Sequence, residues 1–278
     1  GGIAVLQILG LLAQFEVDSM EPWSVEAAHL FLEASRLAYA DRARYVADPD
    51  FAAVPVEGLL DPAYLHERAA LIDLMKASGK VAPGLPPGVE VSAFADDDSV
   101  ELSSTTHISV FDRFGNVASM TSSIEFAFGS ALMVRGFLLN NQLTDFSFSP
   151  TRNGLPVANR VEPRKRPRSS MAPTVVFDEN GRPLLAIGSP GGSRIICYVA
   201  KSLIGVIDWD LDLDQAVSDA NLCNRNGPSE LEAGSQIVDL EVSLEKLGHK
   251  VVIREMNSGV HAVMVADDRL VGAADPRR

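Results

Sequence analysis

A mixed α+β fold is predicted by three features of this 278-residue chain. Its first third has apolar residues spaced for buried helices, with capping residues at two of the starts. From about residue 106 the pattern changes to strands joined by short turns. Pairs of such strands then bracket helices, which favours two layered sheets.

In chain order, Ile3 to Phe15 carries apolar residues on nearly every helical face, as a buried helix would. It lacks the basic n-region and initiator Met of a signal peptide and reads as an interior helix of a longer protein. Pro22 and Ser24 open a second helix that runs to about Val46. Ser24 caps it, and Glu26 sits in the first turn, where a carboxylate suits the helix dipole. Ala27, Leu30, Phe31, Ala34 and Ala38 form its apolar stripe, and Asp48-Pro49-Asp50 ends it. A third helix follows Asp61-Pro62 to about Lys76, with proline in its first turn. Residues 80–104, broken by Pro83, Gly84, Pro86, Pro87 and Gly88 and carrying Asp96-Asp97-Asp98, read as an exposed, mobile connector.

Thr106–Asp112 and Asn116–Ile124 flank Arg113-Phe114-Gly115 as a hairpin. Pro173–Phe177 and Pro183–Ile187 flank a turn at Asp178-Glu179-Asn180-Gly181. Helices are predicted from Ser193 to about Asp208 and over Leu213–Ala220, and late strands over Val251–Arg254, Val260–Ala266 and Leu270–Ala273.

Composition narrows the function classes. Hydrophobic residues at 46% and charged residues at 22% are ordinary for a globular domain with a substantial core. A net charge of −13 argues against nucleic acid or an anionic membrane as partner, since either needs a basic face. No apolar run reaches the roughly 18 residues of a membrane span. Cys197 and Cys223 fall in no C-x-x-C pattern, which speaks against a metal knuckle or redox pair. Each is expected as a small buried residue, not half of a disulfide.

The chemistry concentrates at Ser103-Ser104-Thr105-Thr106-His107, the entrance to the first strand. A hydroxyl there is a weak nucleophile unless a base sits beside it. Cutting the chain before Thr105 supplies one, because a free α-amine titrates at about 7.7–8.0 whereas an amide nitrogen is no base. The reading is a precursor that activates itself by breaking Ser104–Thr105. Gly191-Gly192 suit an oxyanion hole: two amides without side chains approach a developing charge closely, and the helix that follows adds its dipole. The run Gly188-Ser189-Pro190-Gly191-Gly192-Ser193 is not a phosphate loop, for it lacks the lysine and the spacing of one. Gln142 and Asp145 together can hold an ammonium group by charge-assisted hydrogen bonds.

Four stretches in order resemble the small subunit of γ-glutamyltranspeptidases. They are Thr105-Thr106-His107-x-Ser109-Val110-x-Asp112 with Gly115-Asn116, Leu138-Leu139-Asn140-Asn141-Gln142-x-x-Asp145-Phe146, Lys165-Arg166-Pro167-x-Ser169-Ser170-Met171-x-Pro173, and Gly188–Ile195. Upstream, Tyr39-Ala40-Asp41-Arg42 and Asp48-Pro49-Asp50-Phe51 resemble the end of the family's large subunit. The resemblance covers nearly the whole chain but not the whole family protein, so the chain is expected to be a fragment. Residues 1–104 would be the end of the large-subunit region and 105–278 the small-subunit region, together one structural domain. The implied fold is the four-layer αββα sandwich of N-terminal-nucleophile hydrolases, incomplete on its N-terminal side.

The resemblance implies Thr105 as nucleophile, with its own α-amine as base. Ser123 takes a position usually held by a second threonine that hydrogen-bonds the nucleophile. Glu125, Gln142 and Asp145 would contact the substrate's α-amine, Ser169 and Ser170 its α-carboxylate, and Gly191 and Gly192 the oxyanion. His107, the rival base, is expected to pack or hydrogen-bond locally. The basic run Arg160, Arg164, Lys165, Arg166 and Arg168 reads as a solvated loop, and the family's carboxylate-binding arginine belongs to an earlier segment. No metal or organic cofactor is needed. The implied partners are a small γ-glutamyl donor, an amino-acid or water acceptor, and two subunits cut from one precursor. Two regions bear on specificity: Ala220–Pro228, where many members carry Arg-x-His, and a Phe146–Val161 loop placed to cover the pocket. The implied activity is acyl transfer or hydrolysis of γ-glutamyl amides such as glutathione. The alternatives are an amidohydrolase for another carboxylated amide, of cephalosporin side-chain or oxamate type, and a non-processing ligand-binding homologue.

Overall fold

A computed structural model of the chain describes residues 1–89, 93–97, 99, 104–267 and 269–278. Helices α1 (Gly2–Leu12), α2 (Val25–Tyr45), α3 (Val56–Leu59) and α4 (Pro62–Ala69) come first. Strands β1 (Thr105–Phe111) and β2 (Val117–Ser123) form an antiparallel hairpin. Two short pairs follow, β3 (Met133–Val134) with β4 (Phe137–Leu138) and β5 (Thr151–Arg152) with β6 (Leu155–Pro156). Strands β7 (Thr174–Phe177) and β8 (Pro183–Gly188) lead into helices α5 (Ile195–Ile207) and α6 (Leu213–Ser218). Then come β9 (Leu222–Asn224), β10 (Ser229–Glu232), α7 (Glu241–Lys246), β11 (Val251–Arg254), β12 (His261–Ala266) and β13 (Arg269–Ala274).

The class is α+β, as predicted. A four-stranded antiparallel sheet in the order β13-β12-β8-β7 forms the middle. The β1–β2 hairpin packs against β8 and β12, while α5 packs on β8 and α6 on β12 and β13. Helix α1 contacts both α5 and α2, and α2 also meets β9 of the three-stranded sheet β11-β10-β9. Two sheet layers are thus in contact, with helices behind one of them, and the outward hairpin residues Ile108, Val110 and Met120 are exposed. One buried apolar cluster draws on both sides of residue 105, from Ile8, Phe31 and Leu37 to Ile187, Ile196 and Val260.

The helix starts follow their caps. Ser24 accepts from the Ala27 amide at 3.2 Å and Asp61 from the Tyr64 amide at 3.0 Å. Helix α4 stops at Ala69, short of the predicted Lys76. Asp73 competes there for the backbone: its side chain accepts from the Met75 amide at 2.9 Å, and its carbonyl meets His29 Nε2 at 2.9 Å. Helix α2 is buried on its polar side as well. Asp41, which burial pushes above the usual carboxylate range, receives Tyr64 Oη and the Gly84 amide at 2.8 Å each and Arg68 Nη2 at 3.2 Å.

Three expectations need correcting. Cys197 on α5 and Cys223 on β9 are buried as expected, but they form a disulfide; the packing of α5 on β9 brings their Cα atoms to 5.6 Å. The basic run is a solvated loop only in part: Arg164 and Arg166 are exposed, but acidic partners lie opposite most of the run. Arg166 pairs with Asp48, the buried Lys165 pairs with the half-exposed Glu162, and Arg168 is buried with Asp97. For the same reason the connector is not simply exposed. Ala95 and Asp97 are buried, and their amides donate to the Pro156 and Ala43 carbonyls at 2.9 Å. Residues 90–92, 98 and 100–103 of that connector lie outside the described residues.

The layer between hairpin and sheet is polar and closely approached. Ser109 Oγ donates to the His261 carbonyl at 3.2 Å, and Ser119 Oγ to the Ile187 carbonyl at 3.1 Å. His107 lies between Thr121 Oγ1 at 2.8 Å and Ser109 Oγ at 3.0 Å, the local packing expected of it. A Cβ on Gly188 would sit 2.2 Å from the His107 ring, so only glycine lets the sheets meet here.

Burial, with His261 nearby, pushes His107 down to about 4. His249 is likewise pushed to about 4 by burial and by His29. Its environment explains why: His29 Nε2 faces the Asp73 carbonyl and must donate, so His29 Nδ1 accepts from His249 Nε2 at 2.7 Å. Ser229 Oγ then meets His249 Nδ1 at 2.8 Å. The unfolded chain, with histidines near 6.5, binds protons that the folded chain refuses. Stability is therefore complete above about pH 6.5 and falls as pH drops toward 4, by about 2 kcal/mol per histidine at pH 5. Urea midpoints of the full-length protein are expected to fall between pH 7 and pH 5. A flat profile would contradict two neutral buried rings.

Candidate active site

The first register pair of the hairpin sets Thr105 opposite Ser123. Facing residues on one side of an antiparallel pair lie close enough to interact. Thr105 Oγ1 donates to Ser123 Oγ at 3.4 Å, and Ser123 Oγ donates to the Ser104 carbonyl at 3.2 Å. A hydroxyl relay therefore joins the Thr105 side chain to the carbonyl of the peptide bond before it. Ser123 Oγ also accepts from the Glu125 amide at 2.9 Å. Glu125 itself takes a left-handed φ of 72° and is buried. Arg278 Nη1 donates to the Thr105 carbonyl at 2.9 Å.

Gln142 and Asp145 are the two ends of one 3-10 turn, Gln142–Asp145, and a spacing of three puts them on the same side of it. Gln142 Nε2 donates to Asp145 Oδ2 and lies 3.5 Å from Glu125 Oε2. Two buried carboxylates thus converge on one amide, a setting that favours a positively charged guest. Ser170 Oγ accepts from Arg42 Nη2 at 2.7 Å, and Ser169 Oγ accepts from the Met171 amide at 3.1 Å. The guanidinium behind Ser170 favours a negative guest on that side.

These groups share one cavity. Thr105, Ser123, Glu125, Gln142 and Asp145 line it together with Ser169, Ser170 and Gly192, and its room is about 10 Å³, close to that of one water molecule. Gly191 is the predicted site residue outside that lining. It holds a φ of 142°, and a Cβ there would lie 2.4 Å from the Tyr198 ring. Gly192 opens a 3-10 turn that runs into α5, and the first N–H groups of such a turn have no partners inside it. The Phe146–Val161 loop contributes nothing to the cavity lining. A wider cavity of about 860 Å³ near Tyr45, Pro55, Pro87 and Phe94 holds none of the predicted residues. Among the described residues no three His, Cys, Asp or Glu side chains are gathered to hold a metal ion. No helix there is long and apolar enough to cross a membrane.

Sequence reasoning passed over three residues near the site: Arg42, Asn159 and Arg278. Only Arg42 had a signal, its place in Tyr39-Ala40-Asp41-Arg42.

A family model described as gamma-glutamyltranspeptidase matches residues 1–278. The chain belongs to the γ-glutamyltranspeptidase family. It is 38% identical over 293 residues to the glutathione hydrolase proenzyme of Escherichia coli (strain K12), a match to 100% of this chain and 48% of that protein. A solved acivicin-inhibited gamma-glutamyltranspeptidase is 37% identical with a TM-score of 0.57, over 62% of this chain and 98% of its own. For that protein, critical roles of the C-terminus in autoprocessing and catalysis are described. The cephalosporin acylase from Bacillus halodurans is 25% identical with a TM-score of 0.81, over 99% of this chain and 48% of its own. The chain spans about half the length of the curated relatives it matches.

Proposed function

We propose that the full protein is a self-processing threonine acyltransferase and hydrolase. It would cleave γ-glutamyl amides, glutathione among them, and pass the γ-glutamyl group to water or an amino acid. The observation that carries this reading is one cavity in which the Thr105–Ser123 relay, the Glu125–Gln142–Asp145 group and the Ser169–Ser170 pair meet.

Maturation comes first. Thr105 Oγ1 attacks the Ser104 carbonyl carbon, and its proton passes by way of Ser123 to the amide nitrogen. The C–N bond breaks, leaving an ester on Oγ1 and a free Thr105 α-amine; water then hydrolyses the ester to the Ser104 carboxylate. Withdrawal of the Ser104 end also makes room, since one water's worth of space admits no donor. The named E. coli relative is a proenzyme. The solved chain that matches almost in full covers 62% of this sequence, about the share made up by residues 105–278. Both support a large and a small subunit cut from one precursor.

In turnover the α-amine takes the hydroxyl proton as Oγ1 attacks the γ-carbonyl. The oxyanion develops against the Gly191 and Gly192 amides, and the departing amine receives the proton. Glu125, Gln142 and Asp145 hold the donor's ammonium; Ser169 and Ser170, backed by Arg42, hold its carboxylate. Water or an amino acid resolves the acyl-enzyme.

An amidohydrolase for another carboxylated amide is the second reading, since a cephalosporin acylase shares the fold over 99% of the chain at 25% identity. It shares the nucleophile and differs in the donor. γ-Glutamyl-p-nitroanilide and glutaryl-p-nitroanilide differ only in the α-amine. The full-length, processed protein is expected to prefer the first by about 100-fold in kcat/KM, the worth of roughly 3 kcal/mol at a buried charge. A preference for the glutaryl compound would establish the acylase reading instead.

A further inference from the structure

Asn159 lies outside the cavity, yet it is almost fully buried and holds the segment that carries Asp145. Its Nδ2 donates to the Asp145 carbonyl at 2.8 Å and to Asp97 Oδ2 at 2.8 Å. Its Oδ1 accepts from the Arg168 amide at 2.9 Å, and its own carbonyl accepts from the Ser147 amide at 3.0 Å. The 3-10 turn bearing Gln142 and Asp145 is thus gripped at its exit by a single residue, on both sides of Phe146.

The same side chain opens onto a buried network that reaches the other end of the cavity. Asp97 pairs with Arg168 Nη2 at 3.1 Å, both nearly without solvent contact. Asp97 also receives the Ser99 amide at 2.9 Å and Ser99 Oγ at 2.8 Å. Arg168 Nη1 donates to the Arg42 carbonyl at 3.5 Å, and Arg42 Nη2 donates to Ser170 Oγ at 2.7 Å. A continuous path of buried polar contacts therefore joins Asp145 to Ser170. An α-amino acid head group carries an ammonium and a carboxylate at a fixed separation, so the two sides of its cradle must keep a fixed separation too.

We propose that Asn159 is a positioning residue for the ammonium side of the cradle. Through Asp97 and Arg168 it sets the spacing between Asp145 and Ser170. The proposal rests on the γ-glutamyl reading above. Asp97 precedes the Ser104–Thr105 junction and Asn159 and Arg168 follow it, so the spacing is set by residues from both sides of the cut.

The test uses the full-length protein with Asn159→Ala and, separately, Asp97→Asn. Competitive inhibition by glutamate and by glutarate, which lacks only the α-amine, reads the ammonium side by itself. In Asn159→Ala the inhibition constant of glutamate is expected to rise about tenfold and that of glutarate less than about twofold. Self-cleavage, followed by intact mass, should persist. Combining Asn159→Ala with Asp145→Asn should add little to the loss from Asp145→Asn alone, since the two act as one unit. A folded, self-cleaved Asn159→Ala protein with an unchanged glutamate-to-glutarate ratio overturns the proposal while leaving the γ-glutamyl reading intact. If Asn159→Ala fails to fold, Asp97→Asn carries the same expectation and is judged by the same ratio. A parent protein that turns over no γ-glutamyl donor and is not inhibited by glutamate overturns the γ-glutamyl reading, and this proposal with it.

Discussion

The full-length protein carrying Thr105→Ala is expected to remain one chain, while the parent is expected to split between Ser104 and Thr105. Intact mass spectrometry reads the difference directly. The physical ground is the relay in which Thr105 Oγ1 reaches Ser123 and Ser123 reaches the Ser104 carbonyl. Removing the hydroxyl removes the atom assigned to attack the Ser104 carbonyl carbon. Both steps need it, so turnover is expected to fall by at least about 10³-fold even where an uncut protein folds normally. Thr105→Ser keeps the oxygen and should still split, more slowly. If the alanine variant splits as the parent does, the nucleophile lies elsewhere. If parent and variant both stay whole under folding conditions, the free-amine mechanism fails and a ligand-binding homologue becomes the better description.

Asp145→Asn is the second large effect. The substitution keeps the size of the side chain and its place beside Gln142 but removes one of the two carboxylates that converge there. A buried charge-assisted contact to an ammonium contributes about 3–4 kcal/mol when one partner is neutralised, which corresponds to a 10²- to 10³-fold lower kcat/KM for a γ-glutamyl donor. Self-cleavage should be spared, because the relay at Thr105 does not pass through Asp145. A loss below about threefold would place the ammonium somewhere other than between Glu125 and Asp145.

Local signals were read well from the sequence and distant partners were not. Ser24, Asp61 and Pro62 fixed helix starts because a cap needs only residues three positions away. The turn at Asp178–Gly181 fixed a strand pair for the same reason: the Arg182 amide closes onto Asp178 within four residues. Eight of the nine residues named for the site line a single cavity, having been found by motif and not by periodicity. What was missed depends on tertiary neighbours. Nothing near Cys197 marks Cys223, 26 residues on, as its partner. Nothing near Arg168 announces that Asp97 will neutralise it, so a buried ion pair looked like part of a solvated basic run. The strand pair β9–β10 hid in a stretch broken by Asn, Gly and Pro, where pairing comes from packing against α2 and not from propensity. Asn159 carried no signal at all, since a lone asparagine in a loop is ordinary until its four partners are seen.

The apolar cluster that draws on both sides of residue 105 would have a consequence for the lifetime of a protein cut before that residue. Before the cut, Ile8 and Phe31 find Ile187 and Ile196 as parts of one molecule, and folding is a first-order search. After it, the same contacts must be regained by two separate fragments, each exposing half a core, against the loss of translational freedom that any association carries. The concentration of fragments then enters the equilibrium, and aggregation of exposed apolar surface competes with reassembly. Breaking one peptide bond would thus convert a reversible folder into a particle whose native state, once lost, is not recovered by dilution from denaturant, and whose endurance is set by how slowly it opens.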